Sequence, residues 1–348
     1  MVKEMRYYIF GMDGKRPAEC AKELKERGFS AVVSPPGERA AEEAKEAGLE
    51  IWGCIGAFSM REDDPEEWLA EDAFGERRRW FGSGCPNENA LWERGLSAIE
   101  KWKKWGAKGI FADGARFASP CPGTELFASC FCPRCMELGK KLGYDMNGMR
   151  RRVRLYTKMP DLLPPADWLR FREECTCRWF SAFSERVRSV GMIPASFIFT
   201  PALSGLVGQT PEAARELQLV APMLYRRYRP KPGIATLNDE FAALYRLYAG
   251  RGDVAAAQTI FAHTGVQTEF DNADDIWQNG FEPGIIGSET ARAKRMYNAP
   301  VAPILQLDDE RLDESIRCAK QAGADAIGLF AYSEEGMRHL PDLNETEQ

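Results

Sequence analysis

Histidine is almost absent from this chain: its 348 residues include two, His263 and His339. That scarcity argues against acid–base chemistry run by histidine and against a catalytic metal held by imidazoles. Long apolar runs are missing as well. No stretch approaches the roughly 18 apolar residues that a membrane-crossing helix needs. The opening Met1-Val-Lys-Glu-Met-Arg-Tyr-Tyr has no apolar core of signal-peptide length. The expected setting is cytoplasmic, with no membrane partner and with the ten cysteines reduced or metal-bound. Nor is there an excess of positive charge: 46 Lys and Arg stand against 52 Asp and Glu, a net −6. A nucleic-acid partner would demand a basic surface, so none is expected. The runs Arg77-Arg78-Arg79 and Arg150-Arg151-Arg152 are short and read as solvated helix faces or loop ends.

What the chain has in quantity is alternation. Short apolar runs exchange with helical patterns from end to end, and 44% hydrophobic residues suffice for a sizeable core. Strands are predicted near residues 6–10, 30–34, 49–55, 108–112, 192–199, 217–224, 302–307 and 326–331. A glycine recurs between a helix and the next strand, at Gly28, Gly48, Gly106, Gly191 and Gly323, the pattern of a helix C-cap feeding a buried strand. Eight βα units without a Gly-rich dinucleotide fingerprint favour an α/β fold of the (β/α)8 TIM-barrel type over a Rossmann sheet. No repeat, low-complexity tract or linker interrupts residues 1–348, so one elaborated barrel domain is expected. Residues 252–262 fit either a ninth strand or a helix, and the Ala-rich run favours the helix. Long excursions follow strands three, four and six. All leave the C-terminal strand ends, the face where barrel enzymes keep their sites.

Candidate chemistry gathers at those ends. Asp113 closes the apolar run Gly109-Ile-Phe-Ala and precedes Gly114 and Arg116. It should point into the mouth as a nucleophile, base or sugar-binding carboxylate, held ionised by Arg116, unless the two form a pair that merely shapes the loop. Asp13 follows strand one, Asp308 and Asp309 follow strand seven, and Glu334 and Glu335 follow strand eight. Each alone reads as a helix cap, but together they make a mouth rich in carboxylates. Carboxylates and aromatics with almost no histidine suit glycoside chemistry, in which two carboxyl groups flank the scissile bond. Trp52, Tyr225 and Tyr332 are candidate sugar-stacking rings, with Phe58, Trp80, Phe81 and Tyr228 nearby in sequence.

Cys130-Phe-Cys132-Pro-Arg-Cys135 places three thiolates in six residues, a spacing that suits one tetrahedral Zn²⁺. The fourth ligand must come from elsewhere, with Cys85 and Cys121 as candidates. A full thiolate shell leaves no open position for water, so such a zinc would be structural. Cys175 and Cys177, two apart on a predicted helix, point to different faces and are not expected to share a site.

The isolated Cys85-Pro-Asn and the later Cys-x-Cys-x-x-Cys resemble the structural zinc site of glycoside hydrolase family 42 β-galactosidases. The resemblance covers roughly residues 85–145 and implies Cys85 as the fourth ligand. That family carries Asn-Glu after strand four, its Glu being the acid/base, whereas this chain reads Asp113-Gly114-Ala115. The stretch from Gly109 to Phe117, with Pro222-Met-Leu-Tyr225, is similar to uncharacterised barrel proteins classed as glycosyl hydrolases. In related barrel clans a strand-four Asp is the nucleophile, which implies that role for Asp113. The resemblance also allows a homo-oligomer.

Three expectations follow. The first is a glycoside hydrolase, retaining in mechanism, with Asp113 as nucleophile and Asp308 or Glu334 as acid/base. Arg116, Asp13, Trp52, Tyr225 and Tyr332 would then contact a carbohydrate substrate. The second is a carbohydrate-binding pseudoenzyme that kept the barrel and the zinc but lost its acid/base. A barrel lyase or isomerase using Asp113 as general base is a weaker third.

Overall fold

Eight parallel strands form the centre of the molecule: β1 (Arg6–Phe10), β2 (Ala31–Val33), β3 (Glu50–Gly56), β4 (Gly109–Asp113), β5 (Ile193–Ile198), β6 (Leu219–Pro222), β7 (Ile304–Gln306) and β8 (Ala326–Phe330). The computed structural model describes residues 5–159, 163–226, 236–267, 270–341 and 343. The strands pair in the order β6-β5-β4-β3-β2-β1-β8-β7. Parallel bridges Val220↔Val301 and Met223↔Ile304 then join β6 to β7 and close the ring. The chain is a (β/α)8 TIM barrel. Each strand core lies within about two residues of the predicted run, because apolar stretches bounded by glycine leave little choice of register. The five helix-to-strand glycines all have positive φ, between 74° and 91°, where a side chain would be strained. Residues 253–264 are helical, as the Ala-rich run favours.

Alternation sorts the side chains. Tyr7, Ile9, Val32, Ile51, Ile110 and Ile327 face outward against helices. Tyr8, Phe10, Val33, Trp52, Phe111 and Phe197 fill the barrel. Phe111 and Phe197 stack at 4.8 Å, and Phe10 meets Phe197 edge-on at 5.1 Å. At the N-terminal end Glu50 is held by Arg6 and by Lys108 (2.5 Å), which ties the starts of β1, β3 and β4 together.

The excursions after β3 and β4 share a second apolar core. It contains Phe117, Phe127, Phe131, Trp168, Phe171 and the cysteines Cys85, Cys130, Cys132, Cys135 and Cys175. Its backbone is the 24-residue helix Ala166–Ser189, whose other stripe (Trp179, Phe180, Phe183) packs on the main core. The helix thus joins the two cores. No helix among the described residues is long and apolar enough to cross a membrane.

Candidate functional site

A cavity of about 200 Å³ opens among the C-terminal strand ends. Its floor is the top layer of the barrel core, Phe197 and Phe330. Asp113 and Arg116 stand on the β4 side, and Ser59, Trp80 and Ser83 come from the excursion after β3. Phe199, Met223 and Tyr225 complete the wall, and Tyr225 packs on Phe330 at 5.4 Å. Phe81 lies at the rim, 38% exposed, with its backbone at φ 44°. A bulky residue in the left-handed region is unusual, and such strain gathers at functional sites.

Asp113 ends β4, and its side chain is exposed to the cavity. Its carbonyl accepts from the Ala57 N–H at 2.8 Å, which ties β4 to the end of β3. The protein atoms around its carboxyl push the pKa above the ordinary carboxylate value, while the Arg116 charge and the Gly114 N–H pull it down. The sequence-based expectation that the Arg116 charge favours the ionised form of Asp113 names one of the two downward effects. Arg116 is 6% exposed, with its guanidinium 4.9 Å from the Trp80 ring and 4.5 Å from the Phe199 ring. Rings on two sides fix a planar cation where a flexible lysine would wander.

Behind Arg116 lies a group that sequence reasoning missed. Glu240, 1% exposed, accepts from the Ser119 hydroxyl (2.6 Å) and the Cys121 N–H (3.1 Å). Burial pushes its pKa up to about 7, against the opposing pull of Ser119 and of the Arg116 charge. One clue was available: Glu240 falls on the apolar stripe of its helix with Leu237, Phe241, Leu244 and Tyr248. A carboxyl whose folded pKa exceeds its unfolded value contributes stability below the unfolded value, near 4.5, and loses it as pH rises through 7. Glu240→Gln, which mimics the protonated form, should therefore flatten the stability profile between those limits. The gain over wild type at pH 8 should be about 3 kcal/mol, the free-energy equivalent of a rise from 4.5 to about 7. Urea denaturation of both proteins from pH 4 to 8 measures the difference, and parallel profiles would refute the assignment.

The remaining strand-end carboxylates are placed differently. Asp309 forms a buried ion pair with Arg226 (2.6 Å), which also donates to the Phe281 carbonyl (2.6 Å). Asp13 is tied to Arg16 (3.1 Å), and Arg16 also reaches Glu334 (2.6 Å). Asp308 is exposed and, like Asp13 and Glu334, is not among the residues lining the cavity. Of the carboxylates expected to make the mouth acidic, Asp113 is the one in the cavity lining among the described residues. Residues 227–235, which follow β6 outside the described residues, contain no Asp or Glu.

The aromatic expectations divide in the same way. Tyr225, Trp80 and Phe81 meet at the cavity. Trp52 is 2% exposed inside the barrel and pairs with Gly109, four residues below the level of Asp113. At about 3.3 Å per residue that is roughly 13 Å down, so Trp52 offers no face to a ligand at the mouth. Tyr332 is half-buried and turned toward Cys20 and Asp13, away from the lining. Phe58 is buried against Trp179, and Tyr228 lies outside the described residues.

The cysteine cluster is a second site. Cys85, Cys130, Cys132 and Cys135 are all buried, with sulfurs within 4.8 Å of one another. Cys85 lies 3.5 Å from Cys132, 3.5 Å from Cys135 and 3.7 Å from Cys130. A tetrahedral site with metal–sulfur bonds near 2.3 Å needs sulfurs about 3.8 Å apart, so the set fits one metal ion. Cys85, not Cys121, completes it. Cys121 stands beside Glu240 instead. The N–H groups of Asn87 (3.4 Å, to Cys85) and Glu71 (3.4 Å, to Cys130) aim at sulfur, as does the Asn87 side-chain amide (3.2 Å, to Cys135). Such donors stabilise thiolates. The same Asn87 amide reaches Cys175 at 3.2 Å, which brings Cys175 to the edge of the cluster while Cys177 turns toward Ser181.

No family model and no curated protein matches this chain. Among solved structures it is similar to the cold-adapted β-galactosidase from Rahnella sp. R3, with a TM-score of 0.49 and 9% identity, over 99% of this chain and 57% of that one. The chain thus spans little more than half of that enzyme. It is also similar to a 3-keto-D-glucoside 4-epimerase from E. coli (TM-score 0.45, 10% identity, 98% of each chain). A GH18 chitinase from Pseudoalteromonas aurantia gives 0.46 and 10%, over 98% of this chain and 99% of that one. Likenesses of this size decide neither a reaction nor a substrate. The barrel itself rests on the chain's own strand order.

Proposed function

We propose that the mouth cavity binds a carbohydrate, with Asp113 as its hydrogen-bonding carboxyl group, and that the cysteine cluster holds a structural zinc. The observation that carries the first part is the meeting of Asp113 and Arg116 with Trp80, Phe81 and Tyr225 in one cavity. Sugars offer hydroxyls to charged groups and C–H faces to rings, and this lining supplies both. The zinc rests on four buried sulfurs at tetrahedral spacing, with no place left for a water ligand. It would pin the loop after β4 and take no part in chemistry.

Hydrolysis by a protein carboxyl pair needs a second group about 5–9.5 Å from the first, and among the described residues the cavity lining supplies one carboxylate. Binding without cleavage is therefore the first reading. The place of Asp113 at the end of β4, facing the cavity, keeps hydrolysis as the second reading, with Asp113 as its nucleophile. A panel of chromogenic α- and β-glycosides, assayed with wild type and Asp113→Asn, separates the two. No turnover is expected from either protein. Turnover by wild type that Asp113→Asn loses would establish the hydrolase instead.

A further inference from the structure

Arg172 has a charge that the barrel and the cavity leave unexplained. It sits on the helix Ala166–Ser189 and is 0% exposed. Its guanidinium lies 3.8 Å from the Trp168 ring centre and donates to the carbonyls of Leu206 (2.6 Å), Ser129 (2.6 Å), Ala118 (3.3 Å) and Phe127. Its Nε finds no acceptor. Carbonyl dipoles satisfy most of the N–H groups but do not neutralise the ion. A buried cation without a counter-charge costs several kcal/mol. Among the described residues, the anion-capable groups that act on it most strongly are Cys130, Tyr156 and Cys175, none of them a carboxylate.

Four neutral thiols would leave that cation unpaired. Four thiolates around a divalent ion carry a net charge of about −2, beside a cation that already grips the Phe127 and Ser129 carbonyls of the chain leading into Cys130. We propose that Arg172 is the counter-cation of a dianionic metal–tetrathiolate centre, so that the charge at position 172 sets the affinity for a soft divalent ion. The same guanidinium ties the metal loop (Phe127, Ser129) to the segment beside the cavity (Ala118) and to the turn after β5 (Leu206). Arg172 is thus a positioning residue for the metal. The inference rests on the structural-metal reading.

The test uses the full chain with Zn²⁺ as probe, in competition with a chromogenic chelator, and compares wild type, Arg172→Lys and Arg172→Gln. Lysine keeps the charge without the planar fork, whereas glutamine keeps amide donors without the charge. Arg172→Gln should weaken zinc binding by about 10–100-fold, the range for groups that support metal ligands. Arg172→Lys should stay within a few-fold of wild type. Co²⁺ loading of each variant adds a spectroscopic check, because the sulfur-to-cobalt bands should shift in the Gln variant and not in the Lys variant. Wild-type affinity in Arg172→Gln would overturn the proposal, as would a loss in Arg172→Lys equal to that in Arg172→Gln. Should Arg172→Gln fail to fold, the Lys variant alone decides, since a loss of tenfold or more there rejects the role of charge. A wild type that takes up no metal would sink the parent reading, and with it this one. That outcome is distinguishable from a metal-loaded wild type whose affinity ignores position 172.

Discussion

Stripping zinc from the protein should lower its melting temperature by on the order of 10 °C or more. The four sulfurs lie on two chain segments, Cys85 and residues 130–135, that meet in the second core. Without the ion, that core must hold four thiols at contact distance, with N–H donors from Asn87 and Glu71 aimed at sulfur that is no longer anionic. A tetrathiolate zinc adds at least several kcal/mol to folding, because the site exists only in the folded chain. For a chain of this size each kcal/mol moves the melting point by a few degrees. The expected result is a large drop on treatment with a strong chelator, reversed by added Zn²⁺ and absent in Cys132→Ser. An unchanged melting curve together with metal analysis finding no zinc would remove the metal from the account.

Asp309→Ala should be nearly as damaging. The Asp309–Arg226 pair is buried on both sides, at 6% and 7% exposure. Among the described residues, removing the carboxylate leaves the guanidinium with the Phe281 carbonyl and the more distant Glu314 charge. Breaking one side of a buried pair costs about 3–5 kcal/mol, whereas replacing both sides with apolar groups costs far less. Asp309→Leu combined with Arg226→Met should therefore recover most of the lost stability in urea denaturation. Equal losses in the single and double variants would show that the pair acts through something other than its charge. Arg226 directly follows Tyr225, so the single variant should also loosen the cavity wall.

Sequence patterns disclosed the barrel because its determinants are local. A glycine at a helix C-cap, as at Gly28 and Gly323, and the apolar run after it fix each strand without reference to the rest of the chain. The Cys130-to-Cys135 spacing is local in the same sense. The site was less legible because strand-end residues are aimed by loops. Asp309 stands at a predicted strand end, yet it is taken up by Arg226, an arginine that its own run does not reveal; Asp13 is taken up by Arg16 three residues on, a local pair that the carboxylate count overlooked. Trp52 shows a different limit. Its strand was expected, but not its height in the barrel. Glu240 was missed because its partners, Ser119 and Cys121, lie about 120 residues away in the chain and are brought to it by folding alone.

Binding of sugar beside Asp113 is the central claim, and titration calorimetry tests it most directly. Galactosides, glucosides and N-acetylglucosaminides are titrated into wild type, Asp113→Ala and Trp80→Ala, with melting curves recorded to confirm folding. The account expects saturable heat with at least one sugar in wild type, lost in Asp113→Ala and reduced in Trp80→Ala. Binding that survives Asp113→Ala unchanged would contradict it.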